Sequence, residues 1–121
     1  MVIDDRDLAD IATGLVVATR RGSLKWSVYD ADSGEYTAQS QRFTYYLKPR
    51  DEDGSAPFIF EIYRPASESA PQAVQLVQVS SSKSPILLQP IAELYNLARL
   101  DALGITNLKA DVLGDLGIDP V

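Results

Sequence analysis

Gln41-Arg42-Phe43-Thr44-Tyr45-Tyr46-Leu47-Lys48-Pro49 alternates without a break, with Phe43, Tyr45 and Leu47 on one side of an extended chain and Arg42, Thr44, Tyr46 and Lys48 on the other. Successive side chains of a strand point to opposite faces, so this stretch predicts a half-buried strand. Working outward, the same period of two recurs on both sides. Upstream, Leu24, Trp26 and Val28 share one face and Lys25, Ser27 and Tyr29 the other. Asp30-Ala31-Asp32-Ser33-Gly34 supplies turn chemistry, and Glu35 to Ala38 begins a returning strand. Downstream, Arg50 to Gly54 is a polar turn. After it, Pro57 to Tyr63 sets Phe58, Phe60 and Ile62 against Ile59, Glu61 and Tyr63.

Pro65 to Pro71 reads as an irregular loop, and Gln72 to Val79 as a further strand. In that strand Val74 and Leu76 lie on one parity and Val77 and Val79 on the other, which requires either a bulge or burial on both faces. Consecutive strands joined by short polar turns predict an antiparallel meander of four to five strands.

The two ends change period. Leu8, Ile11, Ala12, Leu15 and Ala18 recur at helical spacing over residues 4 to 21, with acids in the first turn, Arg20 and Arg21 in the last, and Gly22 as the stop. The acids at the start complement the helix dipole and need no ligand to explain them. Ser80 to Pro85 reads as a loop. Pro90 to Leu103 is the second main helix, ended by Gly104-Ile105, and Thr106 caps a last short helix that carries Leu108, Val112, Leu113 and Leu116 and stops at Gly117-Ile118. The fold expected is a single α+β domain over residues 1 to 121, an antiparallel meander with an N-terminal helix and two C-terminal helices packed on one face. The Trp26, Phe43 and Phe60 face meets the helices, and the other is left to solvent or a partner.

Composition narrows function by subtraction. The 121 residues include no histidine and no cysteine, which removes histidine-dependent triads, cysteine nucleophiles and disulfides. No glycine-rich phosphate loop is present, no cofactor is expected, and the chain reads as no enzyme. Acids where a signal peptide needs bases, and no apolar run near the roughly 20 residues of a membrane span, make it a cytoplasmic protein with no membrane partner by expectation. The net charge of -6 disfavours nucleic acid overall, although seven of the eleven basic residues lie between Arg20 and Arg64.

Two short patterns have ordinary explanations. Asp30-x-Asp32-x-Gly34-Glu35 resembles the start of a calcium loop, but Gln41 stands where the closing bidentate acid belongs, so a hairpin turn accounts for it. Ser80-x-x-Lys83 has the spacing of serine acyl enzymes yet sits in a serine-rich loop without companion motifs. Glu61 and Glu93 are the acids in apolar settings.

The constellation that stands out is the second sheet face, with Lys25, Tyr29, Arg42, Tyr46, Lys48 and Tyr63 interleaving bases and aromatics. Tyrosine and arginine are enriched at binding hot spots, and the same mixture suits stacking of single-stranded nucleic acid. Tyrosine also simply favours strands. Gly22-x-Leu24-x-Trp26, the meander and Leu94-Tyr95-x-x-Ala98-Arg99 together resemble a layout that recurs among small uncharacterised bacterial α+β proteins. That resemblance spans most of the chain and implies the fold, with no functional residues to carry over.

The leading expectation is a non-enzymatic interaction module of accessory, adaptor or immunity type, whose partner is another protein, a second copy of the chain included. The competing expectations are a single-stranded nucleic acid or small anionic ligand on the same face, and a carboxylate-based enzyme, which requires a pocket holding two acids.

Overall fold

Asp4 opens the first helix with a reciprocal cap. Its carboxylate accepts from the Asp7 amide at 2.8 Å, while the Asp7 carboxylate accepts from the Asp4 amide at 3.1 Å, satisfying two of the donors that a helix start leaves free. The helix, α1 (Asp5–Arg20), ends where Gly22 turns left-handed at φ 77° and Ser23 donates back to the Ala18 carbonyl. The computed structural model describes residues 3–51, 53, 55–105 and 107–118.

Five strands follow: β1 (Trp26–Asp30), β2 (Glu35–Gln39), β3 (Thr44–Pro49), β4 (Phe58–Arg64) and β5 (Val74–Ser80). They form one open antiparallel sheet in sequence order. Its register sorts the faces. Trp26, Ala38, Tyr45, Ile62 and Val77 align across the five strands, as do Val28, Tyr36, Leu47, Phe60 and Val79, giving two apolar rows on the inner face. Between them, on the outer face, runs a polar row of Ser27, Thr37, Tyr46, Glu61 and Gln78. The conflict of parity in β5 resolves as a bulge: Ile62 pairs with Val77 and Tyr63 with Gln75, so Leu76 is the extra residue.

The inner face is covered by α2 (Pro85–Ala102), which packs on β1 to β4 and buries Leu87, Ile91, Leu94, Tyr95 and Ala98. α1 packs on α2 and adds Leu8, Ala12 and Val16 to the same core. Trp26 is pinned there from both sides. Its indole N–H donates to the Thr19 hydroxyl at 3.0 Å, and its amide donates to an Asp101 carboxylate oxygen at 2.7 Å.

Two details of the helical layer depart from the sequence reading. α2 begins five residues before Pro90, because Ser84 stands extended at the cap position and Pro85 takes the first helical place. Proline is preorganised there and its missing N–H would have had no helical partner. Pro90 therefore lies inside the helix. The second departure concerns α3 (Leu108–Asp115), which buries none of its residues; the buried part of the layer comes from α1 and α2. After α2 the chain turns at Gly104, where Ile105 donates to the Leu100 carbonyl, and the same device recurs at Gly117 with Ile118 and Leu113. Thr106 lies outside the described residues; the side chain that caps α3 is Asn107, which accepts from the Ala110 amide at 3.1 Å. No helix among the described residues is long and apolar enough to cross a membrane.

Candidate functional site

Six tyrosines divide evenly between the two sides of the sheet. Tyr36, Tyr45 and Tyr95 are buried in the core, whereas Tyr29, Tyr46 and Tyr63 gather on the outer face, which carries no helix among the described residues. Tyr46 is at the centre. Its ring meets Tyr29 edge to face at 5.1 Å and Tyr63 edge to face at 5.4 Å, the geometry in which aromatic quadrupoles attract.

Local sequence explains why the three meet. In β3, Tyr46 is outward because Tyr45 and Leu47 are inward. Tyr63 pairs with Thr44, two residues from Tyr46, so the two rings are diagonal neighbours across β3 and β4. Tyr29 arrives differently. Val28 pairs with Tyr36 and Asp30 with Glu35, which leaves Tyr29 as the extra residue of a bulge at the end of β1, and at 60% exposure it is the most open of the three.

These rings line a cavity of about 340 Å³. Pro65 and Ala66, leading out of β4, and Ala73, leading into β5, form one wall. Two carboxylates line it as well, Glu35 from the start of β2 and Glu61 from the middle of β4. Glu61 is only 7% exposed, and one of its oxygens accepts from the Tyr63 hydroxyl at 3.2 Å. Among the described residues neither glutamate is in an ion pair; the salt bridges are Arg20–Glu93, Arg50–Asp51 and Lys83–Asp5.

The electrostatics follow from burial beside like charge. Burial lifts the Glu35 carboxyl above its ordinary value; Lys48 pulls it back, and the charges of Glu61 and Asp30 add to the rise. Burial also lifts the Tyr63 phenol, and the charge of Glu61 and the hydrogen bond to it add to the effect. Two carboxylates, Glu61 and Asp30, against the one ammonium of Lys48 leave the surroundings of Glu35 negative.

Of the residues singled out from sequence, Tyr29, Tyr46 and Tyr63 come together, and Lys48 lies near them. The two other bases do not join. Lys25 precedes β1 and lines a separate cleft of about 240 Å³ with Arg20, Gly22 and Asp101 at the end of α1. Arg42 precedes β3, and its guanidinium lies 5.9 Å from the ring of Phe43, an inner-side residue. Both precede the strands they were read into, and neither lines the cavity of the tyrosines. Conversely, Glu35 and Glu61 were not among those residues. Glu61 shares the parity of Tyr63 two residues on, which is the signal that finds it, and the pairing of β3 with β4 sets it opposite Tyr46.

The remaining motifs are structural. The Asp30 carboxylate accepts from the Asp32 amide at 3.0 Å, closing the β1–β2 turn. The Ser80 and Ser82 hydroxyls bond each other at 2.8 Å, while the Lys83 ammonium reaches Asp5 at 2.9 Å, so serine and lysine are engaged apart. Glu93 pairs with Arg20 across α1 and α2 at 2.7 Å, away from Glu61.

No protein-family model, curated protein or solved structure matches this chain.

Proposed function

We propose that the chain is a non-enzymatic protein-interaction module that receives its partner on the outer face of the sheet, at the cavity framed by Tyr29, Tyr46 and Tyr63. The observation that carries this reading is the edge-to-face trio itself. Three large rings held against one another on a helix-free sheet lose little conformational freedom on binding, which is what makes tyrosine an effective contact residue.

A nucleic-acid or anionic ligand on this face has less support, because Glu35 and Glu61 line the cavity and neither Lys25 nor Arg42 does. An enzyme reading would rest on the same two glutamates. They stand on strands separated by β3, with backbones at least about 10 Å apart at ordinary strand spacing, and Glu61 is held by Tyr63.

Replacing Tyr46 and Tyr63 together by Ser tests the proposal. Partner capture in pull-down, or self-association in sedimentation, is expected to fall while replacement of Lys25 by Ser leaves it unchanged. Equal loss in both variants, or loss in neither, would reject this face.

A further inference from the structure

Resting on that reading of the outer face, we infer that the cavity takes a cationic side chain of the partner protein, an arginine or lysine inserted among Tyr29, Tyr46 and Tyr63 with Glu35 and Glu61 as its counter-charges. Three observations converge on this chemistry. First, Tyr29, Tyr46 and Tyr63 all line this one space, with Tyr46 at 80° to Tyr29 and 84° to Tyr63, so aromatic surface borders it in more than one orientation. An aromatic ring face is the negative end of its quadrupole, and several such faces around one space attract an organic cation.

Second, the carboxylates line this same space. Glu61 is 93% buried by its 7% exposure, and a buried carboxylate ordinarily has a positive partner, yet neither glutamate has an ammonium or guanidinium within 4.0 Å among the described residues. Tyr63 gives Glu61 one hydrogen bond, which is less than an ionised carboxylate with about four lone-pair sites accepts. Third, the raised pKa of the Glu35 carboxyl is the response to burial and then to like charge, and it is relieved when a cation arrives. Lys48 already opposes that rise without forming an ion pair with Glu35, and the incoming cation adds to its effect.

The groups that face Glu35 are Lys48 of β3, Glu61 of β4 and Asp30 of β1, with the phenols of Tyr29, Tyr46 and Tyr63 around the cavity. Cation binding draws the carboxyl proton off, so affinity rises with pH through the upper carboxylate range and is flat above it.

The test is a titration of the full chain, followed by side-chain and amide NMR, with capped tripeptides carrying a central arginine, lysine, glutamate or alanine, and with free methylguanidinium, methylammonium and calcium as separate arms. Saturable shifts at Tyr46, Glu61 and Tyr63 are expected with the arginine or lysine peptide, weakened about tenfold by Glu61→Gln and again by Glu35→Gln, since each removes a desolvated counter-charge. Lys25→Ser is expected to bind as the parent does. The emission of the buried Trp26 reports whether each variant is folded. Saturation by the free cations at equal strength would make the site one for small organic cations and overturn the partner side chain. A response to calcium alone, to the glutamate or alanine peptide equally, or no saturable response would overturn the inference. Partner capture that still depends on Tyr46 and Tyr63 in those cases would leave the interaction face standing, whereas failure of both would remove it too.

Discussion

The Tyr95 hydroxyl donates a 2.8 Å hydrogen bond to the carbonyl of Gly34, tying the middle of α2 to the turn between β1 and β2. The ring is sandwiched as well, stacked on Phe58 at 4.2 Å and edge-on to Tyr36 at 5.6 Å. Tyr95→Phe keeps the stacking and loses only the bond, so urea denaturation is expected to show about 1 kcal/mol of destabilisation with an unchanged slope. Gly34→Ala is expected to cost more. Gly34 has φ 70°, which is strained for alanine, and a methyl there would meet the Tyr95 oxygen at 3.1 Å.

Burial pushes the Tyr95 phenol from its ordinary 10.0 up to about 12. Between those values the unfolded chain gives up the proton and the folded chain keeps it, so stability falls as pH rises from about 10 through about 12. Alkaline unfolding curves are expected to show that loss in the parent chain and to lack this component in Tyr95→Phe.

Asp101 lies in the last turn of α2, where the helix dipole disfavours a negative charge, and it is retained there as the acceptor for the Trp26 amide. Asp101→Ala leaves that part-buried donor without its partner. The expected cost is about 2 kcal/mol, the scale of a hydrogen bond to a charged group, accompanied by a red shift of Trp26 emission. Asp101→Asn keeps an oxygen at the site and is expected to recover part of both.

Tyr46 makes two edge-to-face contacts, each worth roughly 0.5–1.5 kcal/mol. Tyr46→Ser is therefore expected to lower stability by about 2 kcal/mol without unfolding the chain, because the ring is on the outer face and the core rows are untouched. Thermal denaturation followed by Trp26 emission, which reports from the other side of the sheet, checks this.

Glu35→Gln removes a carboxyl held above its ordinary ionisation. In the parent chain the folded state binds that proton more tightly than the unfolded state, so stability falls as pH rises from the ordinary value of 4.5 through the raised one. The glutamine variant is expected to lose this slope and to be the more stable of the two at neutral pH, as read from urea midpoints across the acid range.

Local periodicity made the strands and α1 legible, since a half-buried strand or helix writes its burial into every second or every third to fourth residue. The conflict between Val74-Leu76 and Val77-Val79 left a bulge or two-sided burial open, and the pairing with β4 settles it as a bulge. The start of α2 was harder. Ser84-Pro85 is a sound helix opening, but Pro90 offered a second one, and only packing of Leu87 against the sheet decides between them. The apolar residues of α3 read as a core stripe although none is buried, because periodicity records the potential to pack and not the presence of something to pack on. At the outer face the tyrosines were legible by parity. Of their acidic setting, Glu61 was legible by the same parity as Tyr63, whereas Glu35 joins only through the pairing of β2 with β3 and of β3 with β4.

The central claim is that recognition belongs to the outer face of the sheet. Its most direct test is a chemical-shift map of the isotope-labelled chain saturated with a captured partner. Perturbations are expected to centre on the outer row of Thr37, Tyr46 and Glu61 and on Tyr29 and Tyr63, with α1 and α2 unperturbed. The inner side offers a different surface, an apolar cavity of about 440 Å³ lined by Ile11, Phe43, Ile62 and Leu76. Shifts centred there, with the tyrosine trio silent, would contradict the claim.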